Sequence, residues 1–259
     1  MPQRRTRDMD KELIRQRFAK ASGSYDTEAS IQRDVAGKMI GLIDRFVSPE
    51  AHRNVLEIGC GTGIFTRLYT DRYHPEKLWL NDLCPEMELF HPVLEENNAE
   101  FLPGDAENII LPEGLTLITS CSAIQWFEDP EMFFRNCFGK LEPGGYMAVS
   151  TFGKGNMKEI SAVTGASLSY VSTEEMERFT EGMFETVHSG EECLRLHFGS
   201  PADVLRHIRK TGVTGIRKER WTKGTLSSFT DRYKELYGQD GRGVSLTYHP
   251  VYLILRKIG

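Results

Sequence analysis

The segment Val55-Leu56-Glu57-Ile58-Gly59-Cys60-Gly61-Thr62-Gly63-Ile64-Phe65 holds the densest set of residues able to do chemistry. A short β-rich run leads straight into three glycines, and a helical pattern follows. Glycine there lets bare backbone approach a ligand, and a helix start presents N–H groups to it. The spacing is GxGxG, with Ile64 where a dinucleotide fingerprint would place its last glycine. No Lys-Ser/Thr pair follows, so this is not a triphosphate loop. Glu57, two residues before the first glycine, suits a cationic, amino-bearing ligand better than a diphosphate. Two more acids close short apolar runs: Asp82, 19 residues after Gly63, and Asp105. Alone, Asp82 reads as a helix cap in Asp82-Leu83-Cys84-Pro85, and Asp105 as a turn residue. Together, in order and each at a strand's end, they mark the edge where an open α/β sheet binds ligands.

The elements that must position them follow from periodicity. Residues 55–58, 78–80, 100–102, 115–120 and 146–151 read as strands, with helices over 63–73 and 130–141 between them. Strands alternating with helices predict βαβ units and a doubly wound parallel sheet covered on both faces. Before them, residues 10–47 read as two helical segments separated at Gly23-Ser24. After them, residues 153–192 break the rhythm: they open on Gly153-Lys154-Gly155 and carry an acidic run from Glu174 to Glu192. A helix over 201–211 and a β-rich end over 245–258 follow. The expected division is a helical cap over 1–48, a ligand-binding core over 49–152, an inserted cap over 153–195 and a return to the core over 196–259.

Composition narrows the function class. The 259 residues are 39% hydrophobic and 27% charged, enough to build a sizeable core. A net charge of −5 speaks against a surface devoted to nucleic acid. No apolar run approaches the roughly 20 residues of a membrane span, and the basic start has no apolar stretch behind it. Five cysteines without a CxxC pair predict free thiols in a reducing compartment, hence a cytoplasmic protein with no membrane partner. The seven histidines show no zinc-like pairing, so no metal is expected.

With those residues in view, the chain resembles the Rossmann-like S-adenosylmethionine (SAM) methyltransferases. Glu57-x-Gly59-x-Gly61-x-Gly63 is similar to their first motif, and Leu141-Glu142-Pro143-Gly144-Gly145 to the turn before their fifth strand. The resemblance implies a seven-stranded, mostly parallel sheet, SAM as cofactor and S-adenosylhomocysteine as product. It implies that Asp82, with Leu83 beside it, takes the ribose hydroxyls, and that Asp105 and Ala106 hold the adenine.

Longer segments sharpen the likeness. Phe18-Ala19-Lys20-Ala21-Ser22-Gly23-Ser24-Tyr25-Asp26 with Ile31-Gln32-Arg33, Gln125-Trp126, Thr151-Phe152-Gly153 and Thr247-Tyr248-His249-Pro250-Val251-Tyr252 resemble the malonyl-acyl-carrier-protein O-methyltransferases of biotin synthesis. That family esterifies the free carboxylate of malonyl on the phosphopantetheine arm of an acyl carrier protein. A carboxylate is already ionised near neutral pH, so no general base is required and none is assigned. Tyr25 is expected over the methionine end of SAM or against the malonyl group, and Gln32 and Arg33 at the methionine carboxylate of SAM. Gln125, Trp126 and Phe152 are expected to position the acceptor. Core packing explains Tyr25, Trp126 and Phe152 as well, and a solvated helix face explains Gln32 and Arg33. The two caps are expected to close over the reactants.

Acyl carrier proteins are acidic, so the docking face should be basic. Between Cys193 and Lys223 eight basic residues stand against Asp203 and Glu219; Arg206, Arg209 and Lys210 fall on one helix face as the candidate docking surface. The basic start, with Arg4, Arg5, Arg7, Lys11, Arg15, Arg17 and Lys20, is a second candidate. The competing functions are a methyltransferase of a small quinone, phenol or carboxylic acid, and a non-catalytic SAM- or RNA-binding protein. For the last, Trp221 between Arg220 and Lys223 is the one hint.

Overall fold

The computed structural model describes residues 9–96, 98–211, 222–239 and 243–259, with Ser24 and Gln239 described in backbone only. Lys11–Glu28 forms α1 and Ser30–Phe46 forms α2, followed by β1 (Asn54–Ile58), α3 (Ile64–Thr70), β2 (Lys77–Asp82), β3 (Ala99–Pro103), β4 (Leu115–Cys121), α4 (Pro130–Lys140) and β5 (Leu141–Phe152). Then come α5 (Lys158–Thr164), α6 (Thr173–Thr180), β6 (Phe184–Glu191), β7 (Leu194–Phe198), α7 (Pro201–Lys210), α8 (Lys223–Tyr237), β8 (Gly238–Gln239), β9 (Gly243–Tyr248) and β10 (Pro250–Lys257).

Seven strands form one sheet in the order β3-β2-β1-β4-β5-β10-β6. The first five are parallel; β10 runs antiparallel to both β5 and β6, pairing Val251 with Thr151 and with Glu191. The strand order reverses beside β1, which puts its C-terminal end at the crevice where such sheets bind ligands. Side chains alternate between two apolar layers: Tyr252 and Ile254 join the layer with α2 and α3, while Val251, Leu253 and Leu255 join the layer with α4 and α6. Glu57 alternates with Leu56 and Ile58, so it faces α3.

The cap boundaries differ from the expected ones. The N-terminal helices part at Ala29, and Gly23 lies inside α1 with open space around its α-carbon. A helical glycine costs about 1 kcal/mol; the Asp10 side chain capping the Leu13 amide and the packing of the whole helix prevail over it. Of the expected cap over 1–48, α2 belongs to the core, buried through Ile31, Val35, Met39 and Ile43. Within 153–195, β6 is an edge strand of the main sheet, and α6 packs in the layer with α4. Its acidic residues are the exposed side of an edge, where charge discourages pairing with another chain. Conversely, among the described residues of 196–259 only β10 lies in the main sheet; β7, β8 and β9 form a separate three-stranded sheet that carries α7 and α8. The fifth strand also begins earlier than read, at Leu141, because Pro143-Gly144-Gly145 makes a bulge inside it: Leu115 pairs with Leu141 but Leu117 with Tyr146.

Candidate functional site

The glycine loop leaves β1 in left-handed backbone, with φ of 70° at Gly59, 52° at Gly61 and 83° at Gly63. At Gly59 the need is twofold, since a β-carbon there would stand 2.4 Å from that of Ala123. The Gly59 and Cys60 amides both donate to the Asn81 carbonyl (2.8 and 2.9 Å), while the Asn81 side chain donates to the carbonyls of Leu102 and Gly104. Three strand ends are thereby fixed to one another. The Asp82 carboxylate accepts from the amides of Gly61 and Cys84, each at 2.8 Å. Burial pushes its pKa up, and those amides oppose the shift. Glu57 is buried, accepts from the Thr66 hydroxyl at 2.7 Å, and is pushed by burial up to about 8.

These groups line a cleft of about 1050 Å³ counted out to its open mouth. Of the residues expected to hold the cofactor, Tyr25, Gln32, Glu57, Gly59, Gly61 and Asp82 line it, as do Leu83, Asp105 and Ala106. Gly63 does not; it starts α3 behind the loop. His91 was not singled out by sequence: its Nε2 donates to the Gly61 carbonyl at 3.0 Å, and its ring lies where a β-carbon on Gly63 would come to 3.1 Å. No spacing signal marks it, because it reaches the loop from a separate turn.

Helix α1 covers the cleft with one face. Lys11, Ile14, Phe18, Ser22 and Tyr25 all line it, three or four residues apart. The helix is tied down along its length. Lys11 Nζ contacts Asp105 at 3.1 Å and Glu107 at 2.6 Å, and Arg15 contacts Glu86 at 3.2 Å. Near its end Asp26 accepts from the Thr62 hydroxyl and pairs with Arg67 at 2.8 Å. Sequence reading named Tyr25 on this helix but placed Lys11 in a basic docking stretch; the structure turns Lys11 inward, onto the face that the stripe Ile14, Phe18, Tyr25 marks, where it pairs with Asp105 and Glu107.

A second cavity of about 340 Å³, likewise counted out to its open mouth, adjoins the first, sharing Phe18, Tyr25, Gln32, Ser122 and Trp126 with it. Gln125 and Phe152 line this chamber too, so all four expected acceptor-positioning residues meet there. Phe18 stands edge-on to Trp126 with ring centroids 5.5 Å apart. The Gln125 amide is already held, donating to the Ser122 carbonyl at 2.5 Å and accepting from the Thr151 hydroxyl at 3.0 Å. Asn156, Tyr170 and Tyr248 complete the wall from other elements, and sequence reading had assigned none of them a role.

The basic residues of α7 lie on the surface. Arg206 pairs with Asp203 at 2.6 Å and Lys210 with Glu28, while Arg209 is exposed. The same helix reaches the chamber wall through His207, whose Nε2 stands 2.8 Å from the Tyr248 hydroxyl. Arg4, Arg5, Arg7, Arg217, Lys218, Arg220 and Trp221 fall outside the described residues. Among the described residues, no cluster of three His, Cys, Asp or Glu side chains suits a metal ion, and no helix is long and apolar enough to cross a membrane.

Residues 31–167 match the family model of a methyltransferase domain. The chain is 46% identical to the malonyl-[acyl-carrier protein] O-methyltransferase of Bacteroides thetaiotaomicron, over 96% of this chain and 99% of that one. It is 46% identical to the Bacteroides fragilis protein of the same description over 95% of this chain, and spans half that relative's length. For the Haemophilus influenzae protein of that description the identity is 33%, over 96% of this chain and 95% of that one. The YcgJ protein of Bacillus subtilis superposes with a TM-score of 0.60 at 16% identity, covering 85% of this chain and 98% of that one. Phosphoethanolamine N-methyltransferase 2 of Haemonchus contortus, solved with SAM, superposes with a TM-score of 0.53 at 16% identity, over 86% of this chain and 53% of that one. At such identities the two structures share the fold alone.

Proposed function

Because the chain belongs to the family of malonyl-[acyl-carrier protein] O-methyltransferases, we propose that it esterifies the free carboxylate of malonyl carried on an acyl carrier protein, with SAM as methyl donor. The observation that carries this reading is the chamber that adjoins the glycine-loop cleft across shared walls at Phe18, Tyr25, Gln32, Ser122 and Trp126, which would bring donor and acceptor together beneath α1. The cleft's own chemistry suits SAM: left-handed glycines bare their backbone, and the buried Glu57 and part-buried Asp82 offer carboxyl groups to a ligand that bears both hydroxyls and positive charge. Asp82 with Leu83 would hold the ribose, Asp105 and Ala106 the adenine, and Glu57, Gly59, Gly61 and Gln32 the methionine end, while Gly63 starts α3 behind the loop.

When bound, SAM supplies a methyl group on a sulfonium, and its transfer to a carboxylate oxygen leaves a neutral ester and a thioether. The residues contribute placement rather than proton transfer. Tyr25, shared by both cavities, stands at their junction, and burial keeps its phenol protonated, so it closes the junction as a neutral group. Phe18, Trp126 and Phe152 keep water from the chamber. Gln125, with its amide held at both ends, fixes the loop after β4 rather than swinging toward a ligand. Lys11 and Asp26 hold α1 down over both reactants. The carrier protein docks on the α7 face around Arg206, Arg209 and Lys210, beside the chamber wall that His207 supports.

Intact-mass spectrometry of malonyl-loaded carrier protein after incubation with the enzyme and SAM tests the reading. A gain of one methyl on the malonyl form, and none on an acetyl-loaded control, is expected, because acetyl lacks an ionised carboxylate. No gain with SAM binding verified would remove the acceptor assignment and leave the cofactor assignment standing.

A further inference from the structure

The acceptor chamber contains no charged side chain among the described residues, although the proposed acceptor is an anion. A buried anion needs hydrogen bonds, and the wall offers a donor that has no acceptor of its own. Tyr170, 8% exposed, lies between α5 and α6. Its hydroxyl oxygen accepts from the Asn156 side-chain nitrogen at 2.8 Å. The orientation of that amide is fixed, because the Asn156 side-chain oxygen accepts from the His249 backbone N–H at 3.2 Å. The phenol is therefore the acceptor in the Asn156 contact, and its own hydrogen has no acceptor among the described residues. Tyr248 differs: its hydroxyl is engaged with His207.

From this juxtaposition we infer that Tyr170, oriented by Asn156, is a substrate-binding residue that donates its phenolic hydrogen to the acceptor's carboxylate. The chamber thus selects an anion with neutral donors. Burial pushes the Tyr170 hydroxyl up to about 12, so it remains a donor throughout the working range. The choice of a neutral donor fits a reaction that destroys the acceptor's charge. A guanidinium would hold the carboxylate as an ion pair, weaken it as a nucleophile, and be left buried without a partner beside the ester. A phenol costs less on both sides of the reaction and still hydrogen-bonds the ester oxygen.

The inference rests on the acceptor proposed above, and the test separates the two. Affinities of the intact enzyme for malonyl-loaded and acetyl-loaded carrier protein are measured for the wild type, Tyr170→Phe and Asn156→Asp, together with SAM affinity and melting temperature. A hydrogen bond to a charged group sets the scale, so Tyr170→Phe should weaken malonyl-carrier binding about tenfold or more. Acetyl-carrier and SAM affinities should stay within about twofold of the wild type. Asn156→Asp keeps the phenol but turns its hydrogen toward the new carboxylate, and it should reproduce the malonyl-specific loss. It is the deciding variant if Tyr170→Phe fails to fold. Unchanged malonyl binding, or equal losses on both carriers, would overturn the role of Tyr170 alone. A wild type that leaves malonyl-carrier unmethylated would overturn the acceptor assignment and this inference with it.

Discussion

The cofactor cleft and the acceptor chamber adjoin, yet they are built in opposite ways. The cleft's floor is made mainly by backbone: the left-handed Gly59 and Gly61, strand-end amides and carbonyls, with acids at the ends of β1, β2 and β3. The chamber is made by side chains from α1, α2, β5, β9 and three connecting segments, half of them aromatic. A backbone site tolerates little substitution because its shape is the chain path itself. A side-chain site can repack, and its specificity lies in a few polar atoms. The difference suits a donor fixed in chemistry and an acceptor that arrives on a carrier.

The sharpest way to break that contrast is Gly59→Ala. The new β-carbon meets Ala123 at 2.4 Å, and the residue must also hold φ of 70°. Strain and overpacking of this kind together cost about 3 kcal/mol or more. The expected result is a melting temperature several degrees lower and no SAM binding detectable by calorimetry at concentrations that saturate the wild type. Near-normal SAM affinity in this variant would mean that side chains, not the backbone path, define the cleft.

The contrast also explains what was legible in the sequence. The glycine loop, Asp82 and Asp105 are local signals, each adjacent to the strand that positions it, so spacing alone marks them. Tyr170, Asn156 and His91 reach their partners through contacts between distant segments, and nothing near them in the chain announces a role. The parallel direction of the first five strands followed from alternation with helices; their order across the sheet comes from the structure. The cap boundaries did not, because an acidic edge strand such as β6 and an inserted cap share the same charged texture, and because a lone glycine inside α1 looks like a break. Leu117 and Tyr146 show the same limit on a smaller scale: their pairing depends on a bulge that periodicity does not reveal.

A second, smaller effect sharpens the cleft side. Burial raises Glu57 from an ordinary 4.5 to about 8, so the folded chain keeps a proton that the unfolded chain releases. Its contribution to stability is therefore fully present below about pH 4.5 and is lost as pH rises through about 8. Glu57→Gln keeps an acceptor for the Thr66 hydroxyl and removes the titration. Thermal melts without SAM at pH 5 and pH 8.5 should show a drop in the wild type that flattens in the variant. SAM affinity should fall about tenfold, the scale of one charge-assisted hydrogen bond. An unchanged pH slope would place the buried charge elsewhere.

The smallest expected effect lies outside both cavities, on the acceptor's route in. Arg206 is already paired with Asp203 on its own helix and Arg209 is exposed, so each contributes to a field rather than to a fixed contact. Reversing both to glutamate leaves the chamber wall at His207 and Tyr248 in place while inverting the charge that an acidic carrier would meet. Because rim charges act mainly on encounter, the KM for malonyl-loaded carrier should rise about three- to tenfold at low salt, with kcat nearly unchanged. That increase should shrink at high ionic strength, where exposed charges more than about one Debye length apart are screened. Malonyl-coenzyme A, which needs no protein docking, should be turned over as by the wild type. Equal losses on both substrates would show that α7 supports the chamber rather than the carrier, and would move the docking surface to another face.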